Sequence, residues 1–90
     1  MDLALSEALA RVRTWETKAS CINGMLLSDS SLMLVKFTGR VTIMDDVITF
    51  METPFEFRLS LTPAMTFKYA DATLEIRALG WRCCLYEPKG

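Results

Sequence analysis

The spacing of the apolar residues changes once, near residue 18, and that change decides what the chain can become. Ahead of it Leu5, Ala8, Leu9, Val12 and Trp15 recur at helical spacing, while Glu7, Arg11, Thr14 and Lys18 take the other side. From Ser20 onward the alternation has period two, β-branched and aromatic residues become frequent, and turn residues arrive at short intervals. The pattern predicts a single helix over about 3–17 with Asp2 as its cap, followed only by strands.

Turn chemistry then divides the strand region. Asp29-Ser30, Asp45-Asp46, Thr62-Pro63-Ala64, Asp71-Ala72 and Leu79-Gly80 mark tight connections, and Asn23-Gly24 is a two-residue hairpin signal between Cys21-Ile22 and Met25-Leu26-Leu27. Connections this short join antiparallel neighbours, so the expectation is a meander. Met33, Val35, Phe37, Val41 and Ile43 share one face, and a tight turn at Asp45-Asp46 sets Ile43 opposite Ile48 and Val41 opposite Phe50. The inward set continues with Phe55, Phe57, Leu59 and Leu61, then Met65, Phe67 and Tyr69, then Leu74, Ile76 and Ala78, then Trp81, Cys83 and Leu85. Its change of parity between Phe50 and Phe55 predicts a bulge or bend at Thr53-Pro54, and a two-residue turn at Asp71-Ala72 places Lys68 opposite Glu75.

These elements add up to an α+β fold, with one N-terminal helix packed on a strongly curled antiparallel β-meander of five to seven strands. The alternative is a small β-barrel plugged by the helix. Residues 1–90 form a single domain, because no Pro/Gly/Ser linker, repeat or low-complexity tract interrupts them. Folded-surface scaling gives such a chain roughly 5,300 Å² of accessible surface, so its core is thin. With 51% hydrophobic residues there is apolar material to spare. Leu32, Leu34, Met44, Val47 and Met51 fall on the face of the 31–52 hairpin that points away from the core, among Lys36, Thr38, Arg40, Thr42 and Thr49. An apolar outer face of this kind is expected to mark an interface, most simply with a second copy of the chain.

The composition removes several chemistries. The sequence has no His, which excludes Ser-His and Cys-His dyads and imidazole metal ligation. Among three cysteines, Cys83 and Cys84 are adjacent and point to opposite faces of a strand, and Cys21 stands alone, so no metal or other cofactor is expected. Cys84 beside Arg82 is a weak candidate for a reactive thiol. The four glycines are isolated, which leaves no phosphate-cradling loop. Among carboxylates, Asp45-Asp46 fits turn chemistry, while Glu52 and Glu56 flank Pro54. A carboxylate-dependent enzyme using them with Arg40 or Arg58 is a minor alternative.

Lys36, Arg40, Arg58, Lys68, Arg77 and Arg82 share the outer face, but the aromatic residues carry the opposite parity and the net charge is -1, so nucleic acid is not an expected partner. The helix carries Arg11, Arg13 and Lys18 opposite its stripe. It is expected to cover the sheet and not a membrane, because the aromatic face otherwise lacks a cover. The first residues lack a basic n-region, and with unpaired cysteines the chain is expected to be cytoplasmic. The leading functional expectation is a non-enzymatic domain acting through protein–protein association, as a homodimer or with another protein. The alternative is a carrier of a small apolar ligand in a pocket between helix and sheet, lined by Phe37, Phe50, Phe57, Phe67, Tyr69 and Trp81.

Overall fold

The computed structural model describes residues 2–30, 32–51 and 57–87. Strand β1 is Asp2–Leu3 and helix α1 is Leu5–Thr17. There follow β2 (Cys21–Ser28), β3 (Met33–Met44), β4 (Val47–Phe50), β5 (Phe57–Ser60), β6 (Thr66–Ala70), β7 (Thr73–Ala78) and β8 (Trp81–Tyr86). The expected class holds: one N-terminal helix lies on an antiparallel sheet. The strand count does not, since the sheet has eight strands and not five to seven.

The eighth strand comes from the residues expected to open the helix. Asp2 does not cap it. Asp2 pairs with Lys68 and Leu3 with Phe67, so both residues belong to the sheet. The ladder with β6 and a core contact for Leu3 hold them there. The helix begins instead at Ala4, an extended residue whose N–H donates to Glu7 Oε1 at 2.8 Å. Its far end is closed by a left-handed Ala19. The Ala19 N–H donates to the Glu16 carbonyl and the Ser20 N–H to the Trp15 carbonyl, a Schellman arrangement. The stripe behaves as its spacing demands: Ala8, Val12 and Trp15 are buried, while Leu5 and Leu9 pack partly against the same core.

Strand order is β1-β6-β7-β8-β2-β3-β4-β5. Two short meanders, β2 to β5 and β6 to β8, are joined side by side through β8 and β2, so the expected single run of successive neighbours is broken once. Among the described residues the sheet does not close into a barrel; β1 and β5 are its edges. Seven strand spacings of about 4.8 Å would span roughly 34 Å if flat. The molecule measures 29 × 27 × 25 Å, so the sheet curls. The accessible surface, 5481 Å², matches the scaling value.

The local registers follow the sequence. Ile43 opposes Ile48, Val41 opposes Phe50, and Lys68 opposes Glu75. The parity change after β4 is met by the pairing of Phe50 with Phe57 and Ile48 with Leu59, which an even-length connection produces by itself. The bulge expected at Thr53-Pro54 lies outside the described residues. A register shift is found elsewhere, between Leu26 and Leu27, which pair with Val35 and Met33 and leave Leu34 unmatched.

Asn23-Gly24 is not a hairpin. Both residues lie inside β2, where Asn23 opposes Thr38 and accepts its hydroxyl proton at 2.7 Å, and Gly24 opposes Phe37. A Cβ on Gly24 would overlap the Phe37 ring, so the glycine is there to let an aromatic ring lie on the backbone.

Candidate functional site

The five residues expected at an interface are placed as follows. Leu32, Leu34, Met44 and Met51 are exposed, at 65%, 53%, 77% and 55%, and Val47 is half-buried. They do not form one patch. Lys36, Thr38, Arg40 and Thr42 occupy the outer face of β3 between Leu34 and Met44, and all four are exposed. Met44 and Val47 face one another at the β3–β4 turn, and Met51 lies beside Arg40 past the other end of β4; with Thr42, Asp45, Thr49 and Arg58 they line a shallow groove of about 350 Å³. The register explains the grouping, since Met44 pairs with Val47, Val47 with Ser60, Thr42 with Thr49 and Thr49 with Arg58. Leu32 and Leu34 belong to the other end of β3, beside the β2–β3 turn.

The six aromatic residues expected to line a ligand pocket do not share one wall. Phe37 stacks on Phe57 with ring centroids 4.4 Å apart and meets Phe50 edge-on at 4.6 Å, while Phe50 and Phe57 are 6.1 Å apart. These three rings face one another. Phe67 opposes Ile76 and Leu3, and Trp81 opposes Ala78 and Ser28 at the last rung of the sheet. Tyr69 carries the Arg11 guanidinium 4.0 Å over its ring. Arg11 therefore packs on the sheet, although the helical pattern put it on the polar side.

Asp45 and Asp46 form the β3–β4 turn and are exposed, with Asp45 left-handed at φ 54°; Glu52 and Glu56 lie outside the described residues. Among the described residues no polar or charged residue is buried, and no group of three His, Cys, Asp or Glu side chains is placed to hold a metal ion. Arg40 and Arg58, the cations expected to assist a carboxylate, are exposed on the outer face.

The thiols separate by environment. Cys21 is exposed, Cys84 is half-buried and Cys83 is buried. Burial pushes the Cys83 thiol up to about 12, with Cys84 adding to the effect. Cys84 is also raised, by burial and then by Glu75, which together outweigh Arg82 and Arg77. The lowering that Arg82 would give is outweighed. Glu75 explains why: its carboxylate takes Arg77 at 3.1 Å and Arg82 at 3.8 Å, so the cations beside Cys84 are already engaged.

Two side chains do work that no sequence pattern announces. Glu16 Oε2 accepts the Ile43 N–H at 2.9 Å, so a helix carboxylate covers the stretch of β3 that runs on beyond the end of β2. Glu87 joins the far end of β8 to the helix terminus. Its carboxyl is held below the usual range by a hydrogen bond from Ser20, and then by Lys18 at 3.4 Å and by Trp15.

No protein-family model, no curated protein and no solved structure matches this chain. Among the described residues no helix is long and apolar enough to cross a membrane.

Proposed function

We propose that this chain is a non-enzymatic interaction domain that pairs with a second copy of itself through the outer face of β3, β4 and β5. The observation that carries the reading is that Met44, paired with Val47, and Met51, just past the far end of β4, are exposed and line one groove. An antiparallel sheet with one wetted side normally keeps its outer residues polar, so apolar side chains gathered in a depression are what an interface core would use. Methionine suits such a surface because its thioether chain adapts to the shape it meets. Asp45 and Arg58 stand on the same groove with opposite charge.

No observation among the described residues favours the ligand-carrier reading, because Phe37, Phe50 and Phe57 fill the space between one another.

Light scattering across a concentration series tests the proposal. The wild-type chain should have twice the monomer mass, and a variant carrying Met44→Glu and Met51→Glu should have the monomer mass with an unchanged circular dichroism spectrum. A wild-type monomer at about 100 µM, two orders above a micromolar affinity, would sink the reading. So would a double variant that keeps the dimer mass.

A further inference from the structure

The second exposed apolar group has a different character. Leu79, at the β7–β8 turn, is 100% exposed, and Leu32, Met33 and Leu34, at the β2–β3 turn, are 65%, 52% and 53% exposed. The β8–β2 pairing brings these turns to the same end of the sheet. The Leu32 carbonyl accepts the Ser28 N–H at 2.9 Å, Ser28 pairs with Trp81, and Trp81 pairs with Ala78 next to the turn. The two tips are therefore about two strand spacings apart, roughly 10 Å. Turns ordinarily carry Gly, Asn, Asp or Ser, and a leucine at the summit of one, with Gly80 at φ +91° supplying the bend, has no contact in the fold to account for it.

Residues behind the tips are ordered by polarity. Trp81, half-buried, stands on the last rung. On the next rung Arg82 and Arg77 lie side by side on the outer face, both reaching Glu75, and Lys36 is exposed two residues beyond Leu34. Counting Asp29 on the β2–β3 turn and Glu75 against Lys36, Arg77 and Arg82 leaves one net positive charge at this rim. Apolar tips, then an aromatic ring, then cations on long apolar stems is the order in which a bilayer interface passes from hydrocarbon to headgroup.

We infer that this rim docks on an anionic bilayer surface, with Leu79 and Leu32 entering the headgroup–acyl boundary and Trp81, Arg77, Arg82 and Lys36 at headgroup level. Helix α1 takes no part, since its stripe is buried in the fold. The inference is independent of the pairing proposed above, which uses the groove at the other end of β3.

The experiment is co-sedimentation of the full chain with vesicles of phosphatidylcholine alone and with about one-third phosphatidylserine, read together with tryptophan emission. Trp15 is buried, so a blue shift on binding reports Trp81. Binding should require phosphatidylserine and weaken with salt. The bound fraction should fall at least tenfold in Leu79→Asp, a change at a fully exposed position that leaves the thermal midpoint of the free protein unchanged. The Met44→Glu and Met51→Glu variant should bind like wild type. Absence of sedimentation with both compositions overturns the inference, as does equal binding to phosphatidylcholine or a Leu79→Asp variant that binds undiminished. A dimer mass abolished by Leu79→Asp in the absence of vesicle binding also overturns it, and identifies a second copy as the occupant.

Discussion

Phe37 lies directly across the β2–β3 ladder from Gly24, and its ring occupies the space that a Gly24 side chain would need. A Cβ there overlaps the ring and stands 3.0 Å from Leu85 Cδ2. Phe37 is held by Phe57 on its face and Phe50 at its edge, so it cannot turn aside freely. Gly24→Ala should therefore destabilise the fold by about 1–3 kcal/mol, measured by urea unfolding. Adding Phe37→Leu to that variant should recover part of the loss, giving a double-mutant cycle that is not additive. Strict additivity would show that the two residues do not compete for one space.

Two alanines sit where the backbone asks for glycine. Ala19 closes the helix at φ 53°, and Ala72 follows Asp71 (φ 52°) at φ 59° in the turn between β6 and β7, where two left-handed residues make a type I′ hairpin. The left-handed region costs an L-residue about 1–2 kcal/mol, part of which glycine returns through the greater freedom of its unfolded chain. Ala19→Gly and Ala72→Gly should each stabilise by about 0.5–1 kcal/mol and, lying in separate elements, should add. A lowered unfolding midpoint in either variant would contradict the strain assigned to that position.

The same residues show what a local pattern can and cannot carry. Turn spacing and parity were enough to align Ile43 with Ile48, Val41 with Phe50 and Lys68 with Glu75, because a short turn fixes the register of its own two strands. The pairing of β8 with β2 joins residues about sixty positions apart, and no turn specifies it. What depends on that pairing was hidden for the same reason: the break between β5 and β6, and Leu79 near Leu32 at one rim. Asn23-Gly24 misled because its turn chemistry is genuine, but the Phe37 ring and the Thr38 hydroxyl satisfy the same two residues within a strand. Met44, Val47 and Met51 were legible as outward-facing, and the run of Lys36, Thr38, Arg40 and Thr42 already separates them from Leu34 along β3.

Glu16 predicts a local effect on β3. The Ile43 N–H points to the Glu16 carboxylate at 2.9 Å, in a stretch where β2 no longer runs alongside. Removing the acceptor in Glu16→Ala should cost about 1–3 kcal/mol, the range for a polar group left without its partner. Glu16→Gln keeps an acceptor oxygen and should lose less. Amide hydrogen exchange provides the specific readout: Ile43 should exchange faster in Glu16→Ala while Ile22, paired inside the sheet, changes only with global stability. Unaltered protection of Ile43 would mean that another group holds that N–H.

Cys83 predicts how the fold responds to alkali. Its thiol keeps its proton in the native state up to about 12, whereas its ordinary value is 9.0. Below pH 9 both states are protonated and the residue adds nothing to the pH dependence. Between pH 9 and 12 the unfolded chain binds fewer protons than the native one, so stability falls as pH rises, by on the order of 4 kcal/mol across the window. Cys83→Val keeps an apolar group in the core and removes the acid, so its stability should decline less steeply than that of the wild type over this range; lysine and tyrosine ionisation is common to both chains and cancels in the comparison. Parallel declines would show that the thiol ionises without unfolding. The same burial orders the cysteines towards a thiol reagent at pH 8: exposed Cys21 first, half-buried Cys84 more slowly, and Cys83 only at the rate at which the sheet opens.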